Sequence, residues 1–317
     1  MKILGQYKNG NYHVTILSDG TKIRRTEEDE FIPEFLENAD VKITDKCSQG
    51  CPFCYEGCTS KGEHSHLMNE DGTFGQHWMY TLHPYTELAI NGNDLDHPDL
   101  DKFLLKMQEM KIVVNVTVNQ NQFMKHLDYL KYLTDKKMIY GLGVSLINTD
   151  DDFLDELQKF PNAVIHTIAG ILDEPNIVRL CERKNVKVLI LGYKNLGRGI
   201  TFRKERICDD KFDLIQFHID NLSRRWLKEL VNNCKVVSFD NLAIEQLHVK
   251  EVLFKGKENE WDEFYMGDDG NFTLYIDAVN QTFAKNSCMP KEERFPIDGR
   301  SMTDMFNFIR DRYGIKR

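Results

Sequence analysis

Four cysteines lie within twelve residues of the chain, at Cys47, Cys51, Cys54 and Cys58. Thiolates hold iron–sulfur clusters, and three of them leave one iron of a four-iron cluster free for another ligand. A structural zinc site usually draws its ligands as two separated pairs, which this single loop does not supply. We therefore predict that Cys47, Cys51 and Cys54 bind a [4Fe–4S] cluster. Cys58 is then a free thiol near the active site or a local structural residue; alternatively, it completes a non-catalytic four-cysteine iron–sulfur or zinc site.

Polar and aromatic residues at predicted loop positions are candidates for contact with a substrate. We select Tyr55, Cys58 and Arg198 as candidate catalytic residues. Arg198 belongs to the glycine-rich segment 192–199, which also contains Lys194 and whose backbone amides could bind an anionic group. A mobile loop is the alternative interpretation of this segment.

The elements that position these residues follow from hydrophobic periodicity. From residue 41 onward, short β-rich runs alternate with amphipathic helical patterns, such as the one that begins at Leu100. The predicted strands are 41–44, 87–91, 112–118, 138–146, 163–168, 186–191 and 236–239. Such alternation implies parallel strands, and it favours an α/β fold with a partial (β/α)6 TIM-like barrel whose chemistry lies at the carboxyl ends of the strands. A doubly wound open sheet would give a similar pattern.

Smaller units flank this predicted barrel. Asn9-Gly10-Asn11 and Asp19-Gly20 are hairpin signals, so the chain is expected to begin with a small β unit. After about residue 250 the alternation stops, and a β-hairpin followed by a final helix is expected to cap the barrel. The predicted domains are therefore 1–40 for the β unit and its connection, 41–245 for the barrel and 246–317 for the extension.

The cysteine loop resembles that of the radical S-adenosylmethionine (radical SAM) enzymes. The resemblance rests on the CxxxCxxC spacing directly after the first barrel strand, and on Phe53 just before the third cysteine. It implies a radical SAM core in which S-adenosylmethionine binds the free iron of the cluster. Reductive cleavage would give a 5′-deoxyadenosyl radical that abstracts a substrate hydrogen. It also implies an electron donor such as flavodoxin or ferredoxin.

The resemblance extends over about residues 41–200 and identifies further cofactor contacts. After the second strand, Asn91, Gly92 and Asn93 stand where the family has a Gly-Gly-Glu motif for the amino group of S-adenosylmethionine, with Asp94 as a competitor. An Asn carbonyl can accept a hydrogen bond from that ammonium group. The remaining predicted contacts are Phe53 in the cysteine loop and one or two residues on each later strand: Asn119, Ser145, Ile168, Gly170 and Tyr193.

Composition limits the possible partners. The formal net charge is −9, and no extended basic stripe is present, which argues against binding of a long nucleic acid. No apolar run is long enough for a membrane span or a signal peptide, so a cytoplasmic location is predicted. The predicted substrate is a peptide or protein that aligns on strand edges, with a small metabolite or nucleotide as the alternative.

Overall fold

The computed structural model describes residues 2–18, 21–91, 94–208, 212–264 and 270–315. Its largest feature is a mostly parallel sheet with helices packed on it, so the predicted α/β class is confirmed. The strands, in chain order, are β1 (Ile3–Asn9), β2 (Tyr12–Leu17), β3 (Lys22–Arg25), β4 (Asn38–Lys42), β5 (Glu87–Asn91), β6 (Val113–Asn119), β7 (Gly141–Ser145), β8 (Ala163–Ile168), β9 (Lys187–Leu191), β10 (Ile207–Cys208), β11 (Phe212–Asp213), β12 (Val236–Phe239), β13 (Thr273–Asp277), β14 (Thr282–Ala284) and β15 (Phe295–Pro296).

The main sheet has the order β12-β9-β8-β7-β6-β5-β4-β13-β14-β15. Every pair from β12 to β13 is parallel, whereas β14 and β15 join through antiparallel pairs. The predicted strands 87–91, 163–168 and 236–239 coincide with β5, β8 and β12. The expected hairpin is β13–β14, and it extends the sheet because β13 lies parallel beside β4.

Helices pack on one face of the sheet. They are α1 (Leu100–Glu109), α2 (Gln120–Lys125), α3 (Leu127–Asp135), α4 (Asp151–Leu157), α5 (Glu174–Arg183), α6 (Arg198–Lys204), α7 (Leu214–Asn221), α8 (Leu227–Asn233), α9 (Asn241–Gln246), α10 (Val249–Leu253), α11 (Glu258–Phe264) and α12 (Met302–Arg312). Helices α1 to α11 lie between the parallel strands along the chain, and α12 follows the last strand. The apolar faces of the helices form one core with the alternate Val, Ile and Leu residues of the strands. None of the helices in the described ranges is long and apolar enough to cross a membrane.

Local sequence features explain where α5 begins, and the longest predicted helical stretch is interrupted. The side chain of Asp173 accepts a hydrogen bond from the Asn176 N–H, and Pro175 occupies the first turn of α5, as the sequence pattern predicts. The helical stretch expected over about 210–232 consists of α7 and α8 with a π-helical turn, Leu222–Trp226, between them.

The main sheet is strongly curved. Strands β9 and β14 are seven positions apart in its order, which in a flat sheet would separate them by about 34 Å at about 4.8 Å per strand. Nevertheless Lys194, three residues after β9, donates a hydrogen bond of 2.7 Å to Ser287, three residues after β14. The two ends of the sheet therefore approach each other at the carboxyl ends of the parallel strands, a curvature that is compatible with a barrel-type fold.

Strands β1–β3 form a separate antiparallel sheet at the opposite, amino ends of the parallel strands. Lys22 Nζ lies 2.9 Å from the carboxylate of Glu87, the first residue of β5. Arg24 forms two-point contacts with Glu37, which directly precedes β4, and Tyr12 donates a hydrogen bond to the same carboxylate. The small sheet thus covers this end of the main sheet.

Candidate ligand-binding site

Part of the face of the parallel sheet that points away from the helices is polar. On β6, the valines at alternate positions are buried in the core, whereas Asn115, Thr117 and Asn119 between them are half-buried. Polar residues on the same face of other strands include Asp40 and His166. Parallel sheets are usually buried on both faces and are apolar on both. A polar, partly accessible face therefore indicates a cavity on this side of the sheet.

Two glycines of β7 give the cavity its width. A Cβ added to Gly143 would overlap the imidazole of His166, and one added to Gly141 would overlap the side-chain amide of Asn115. Burial lowers the pKa of His166 to about 4, so the ring is neutral at pH 7 and offers one donor and one acceptor. Among the described residues, none forms a hydrogen bond with this ring.

Tyr55 and Lys194 lie at the carboxyl end of the sheet, which we call the mouth of the cavity. Lys194 Nζ is 3.9 Å from the centre of the Tyr55 ring and 2.7 Å from Ser287 Oγ. Burial lowers the pKa of Lys194, but Tyr55 and other nearby acidic groups outweigh it and hold the pKa above its usual value. Burial raises the pKa of Tyr55 to about 12. At neutral pH the mouth therefore contains an ammonium group beside a neutral phenol.

Arg198 holds the backbone of the cysteine loop. Its guanidinium donates to the carbonyl oxygens of Cys51 at 3.0 Å and Cys58 at 2.8 Å, and its backbone N–H donates to the Cys54 carbonyl at 3.1 Å. At the preceding Gly197, with φ of 52°, an added Cβ would overlap the Tyr55 carbonyl. Arg198 therefore holds the cysteine loop, while the binding of an anion by the amides of segment 192–199 stays a prediction.

The thiols of the loop differ in their surroundings. A hydrogen bond from the Cys58 thiol lowers the pKa of Cys54 to about 6, and the same bond raises the pKa of Cys58. Burial raises the pKa values of Cys47 and Cys51. Cys58 is buried, with Sγ 3.9 Å from a carboxylate oxygen of Asp45. Cys54 and Cys58 therefore shift each other's pKa in opposite directions.

A buried network of charges, the Glu56 network, fixes the residue that follows Tyr55. Glu56 accepts hydrogen bonds from Tyr275 at 2.8 Å, from Lys42 at 3.2 Å and from Arg294 at 3.2 Å. Lys42 and Arg294 also contact Asp277, at 2.6 and 3.1 Å. Burial raises the pKa of Glu56, but the charges of Lys42 and Arg294 outweigh it and hold the pKa below its usual range. The network joins β4, the cysteine loop and the β13–β14 hairpin.

The remaining predicted cofactor contacts have mostly structural partners. Phe53 packs edge-on against Phe202, with ring centres 5.6 Å apart. The Tyr193 hydroxyl donates to the Gly199 carbonyl at 2.6 Å, and the Tyr193 backbone N–H and carbonyl are both bonded to the Gln246 side chain. These residues hold loops at the mouth together.

The other predicted contacts lie at strand ends. Asn119 accepts a hydrogen bond from the Asn121 N–H and so caps α2. Gly170, with φ of 88°, packs closely against Ile215 of α7. Ser145 and Ile168 are half-buried at the ends of β7 and β8. The prediction for the second strand, Asn91 to Asp94, concerns Gly92 and Asn93 and the side chains of Asn91 and Asp94, all of which lie outside the described residues.

The cysteines predicted as cluster ligands do not form a metal-binding group. Within residues 2–18, 21–91, 94–208, 212–264 and 270–315, no three or more His, Cys, Asp or Glu side chains are arranged to hold a metal ion. The physical reason lies in the loop backbone, which Arg198 fixes through the Cys51 and Cys58 carbonyls in an arrangement that does not bring the thiols together around one point. The structure therefore corrects the predictions of a [4Fe–4S] cluster, of S-adenosylmethionine as cofactor and of a radical SAM enzyme. It equally corrects the alternative four-cysteine site.

Comparisons with known proteins also give the radical SAM resemblance no support. No family model matches the sequence, and no curated protein matches it. Among solved structures, the chain is similar to MGS-M4, an aldo-keto reductase enzyme from a Medee basin deep-sea metagenome library. The identity is 9%, the match covers 84% of this chain and 92% of that chain, and the TM-score is 0.28. A similarity this low carries no argument about the function of the chain.

Several residues of the cavity were not selected from the sequence, namely Asp40, Asn115, Thr117 and His166. A signal for the β6 pair was present, because the strand alternates valine with a polar residue from Val114 to Asn119. Alternation of this kind indicates that one face of a strand is not packed in a core. His166 carries no comparable signal, since its environment depends on the glycine opposite it on β7.

Proposed function

We propose that the curved sheet is a partial barrel that binds a small polar molecule on its inner face. The observation that carries this proposal is the contrast between the two faces of the sheet. The face towards the helices is apolar and buried, whereas the other face is half-buried and carries polar side chains on several strands beside apolar ones such as Leu189. Binding sites are concave and contain a few polar groups that fix the orientation of the ligand. Asp40, Asn115, Thr117 and His166 supply such groups here.

The ligand enters from the carboxyl ends of the parallel strands. The amino ends are covered by the β1–β3 sheet through the contacts of Lys22 with Glu87 and Arg24 with Glu37. Sites at the carboxyl ends are the rule in α/β barrels and open α/β sheets. A small molecule fits this enclosed space better than an extended peptide does.

His166 is the main hydrogen-bonding group for the ligand. Its ring is neutral at pH 7, it has no bonding partner within the described part of the chain, and the residue is only half-buried, so a ligand can reach it. A ligand group can donate to one ring nitrogen or accept from the other. Thr117, whose hydroxyl lies near the same point of β7, would contribute a second bond.

A screen with two matched variants tests the proposal. A library of polar metabolites is screened against the full chain by saturation-transfer NMR, and each hit is titrated against Ser145→Trp and Ser60→Trp. Ser145 is half-buried at the carboxyl end of β7, and Ser60 is exposed in the cysteine loop. We expect hits that bind the original chain and Ser60→Trp but not Ser145→Trp. Binding to Ser145→Trp with unchanged affinity, or a library without any hit, would contradict the proposal.

A further inference from the structure

We infer that the mouth of the cavity binds an anionic oxygen group of the ligand, a carboxylate or a phosphate, through Lys194 and Ser287. This rests on the proposed function, because the rest of the ligand then lies against the polar sheet face. The site is built from three loops, which follow β4, β9 and β14 and contribute Tyr55, Lys194 and Ser287.

The enclosed cations of this end of the molecule differ in their partners. Lys42 lies within 3.2 Å of Asp45, Glu56 and Asp277, and Arg294 within 3.2 Å of Glu56 and Asp277. Lys194, in contrast, forms no ion pair with any residue that the structure describes. Because an enclosed charge is stabilised by an opposite charge, the missing counter-charge indicates where a ligand anion binds.

The geometry around Lys194 leaves donors available for a ligand. An ammonium group has three N–H donors. One of them is used by Ser287 Oγ at 2.7 Å, and the ring of Tyr55, 3.9 Å away, offers only its π face. A charged donor bound to a carboxylate or phosphate oxygen forms a stronger bond than a neutral pair does.

Nearby carboxylates do not satisfy Lys194. Asp240 accepts hydrogen bonds from the backbone N–H groups of Gly192 at 2.9 Å and Ala243 at 2.7 Å. Asp40 influences Lys194 electrostatically but lies beyond ion-pair distance, and it has contacts of its own. An anion at the mouth must therefore bind on the side of Lys194 that is remote from Asp40, which fixes the orientation of the ligand.

The first test uses simple probes. The full chain is labelled with [ε-13C]lysine, and its lysine signals are followed during titration with inorganic phosphate and, separately, with acetate. The Lys194 signal is assigned by its loss in Lys194→Met. We expect a saturable shift of this signal with at least one probe, and the probe that binds more tightly identifies the group. A linear shift with both probes, equal to that of exposed lysines, would overturn the inference.

The second test uses a hit from the metabolite screen and two variants. We expect Lys194→Met to weaken its binding by about tenfold, the usual effect of losing a charge-assisted hydrogen bond. Lys204→Met, an exposed position in α6, should leave the affinity unchanged. If the hit is lost in Ser145→Trp but binds Lys194→Met normally, the anionic site is wrong while the proposed cavity stands. If no metabolite binds, the proposed function itself fails.

Discussion

Glu56 connects residues that are far apart in the chain. Its bonding partners Tyr275 and Arg294 are 219 and 238 positions away, and Lys42 reaches it from β4. Because Tyr55 precedes Glu56 directly, the network determines where the phenol ring stands beside Lys194. The buried carboxylate of Glu56 thus positions residues at the mouth of the cavity, although Glu56 does not line the cavity.

Removal of the Glu56 charge should destabilise the protein strongly. In Glu56→Gln, the buried charges of Lys42 and Arg294 lose a counter-charge, which should lower the free energy of unfolding by about 2–4 kcal/mol. Glu182→Gln is the matched control, because the contact of Glu182 with Arg179 is exposed and contributes about 0–1 kcal/mol. Urea unfolding measures the free energy of unfolding of both variants. Equal effects of the two variants would contradict the assignment of the network.

Gly143 should control the environment of His166. In Gly143→Ala, the added methyl group forces the imidazole out of its position, so its pKa should rise from about 4 towards the solution value of about 6.5. An NMR titration of the histidine ring protons measures this. His97, whose pKa burial also lowers to about 4, serves as an internal reference and should not change. An unchanged His166 would show that the ring does not lie over β7.

Only some of the individual residues at the mouth of the cavity could be predicted from the sequence. Tyr55 was selected from its place in the cysteine loop, and Lys194 was noted in the glycine-rich segment after a predicted strand. The pairing of Lys42 with Asp277 could not be predicted, since it depends on β13 entering the sheet next to β4. The cysteines attracted attention by their spacing, but spacing does not report how the thiols are arranged in space.

The β1–β3 sheet is the element that closes the amino end of the main sheet. Tyr12, Val14 and Ile16 form a small core with Phe272. Arg24 also stacks over Phe272, at 4.4 Å from its ring centre. The charged contacts of Arg24 and Lys22 therefore act together with apolar packing.

Arg24→Met should loosen this closure. Glu37 is fully buried, and without Arg24 its carboxylate keeps mainly the hydrogen bond of Tyr12. The free energy of unfolding should fall by about 2–4 kcal/mol. Arg25→Met, at the exposed neighbouring position, is the control and should change it by less than about 0.5 kcal/mol. Chemical unfolding at pH 7 distinguishes the two. A stable Arg24→Met variant would mean that the small sheet is held by its apolar contacts alone.

Arg198→Lys should free the cysteine loop. Lysine cannot donate to the Cys51 and Cys58 carbonyls in the two-point geometry of a guanidinium. Local opening of the loop should then become easier, and iodoacetamide should label Cys47, Cys51 and Cys54 several-fold faster, as measured by mass spectrometry. Buried Cys234 is the reference within the same sample. Labelling that speeds up equally at Cys234 would indicate general destabilisation.

Elements were easier to predict than their assembly. Alternation of apolar residues located β5, β8 and β12 at both ends, because each has one face in the core. The parallel pairing of β13 with β4 joins segments more than two hundred residues apart, and no local pattern encodes it. Nor does any local pattern encode the packing of the β1–β3 sheet on the amino ends of the parallel strands.

For the whole molecule, the shifted histidines predict how stability depends on pH. The folded pKa values of His97 and His166 are about 4, below the unfolded value of about 6.5. The unfolded chain therefore takes up protons first as the pH falls, so stability should decline from about pH 6.5 towards pH 4. Glu56 and Asp277, whose pKa values are also lowered in the folded state, should extend the loss below about pH 4.3.

Urea midpoints between pH 8 and pH 4 test this dependence. The double variant His97→Gln/His166→Gln should have a flatter profile between pH 6.5 and pH 4.5, since neither position then takes up a proton on unfolding. Its profile below that range should still fall, because Glu56 and Asp277 are intact. A slope in the upper range identical to that of the original chain would contradict the assignment to these two histidines.

The contrast between the two faces of the sheet also has an evolutionary consequence. The apolar residues that stabilise the fold lie on the helix side, and the residues that line the cavity lie between them along the same strands. A substitution at Thr117 or Asn115 can therefore alter ligand preference while the neighbouring valines remain packed. Related chains could acquire new specificities one position at a time, without losing a stable scaffold.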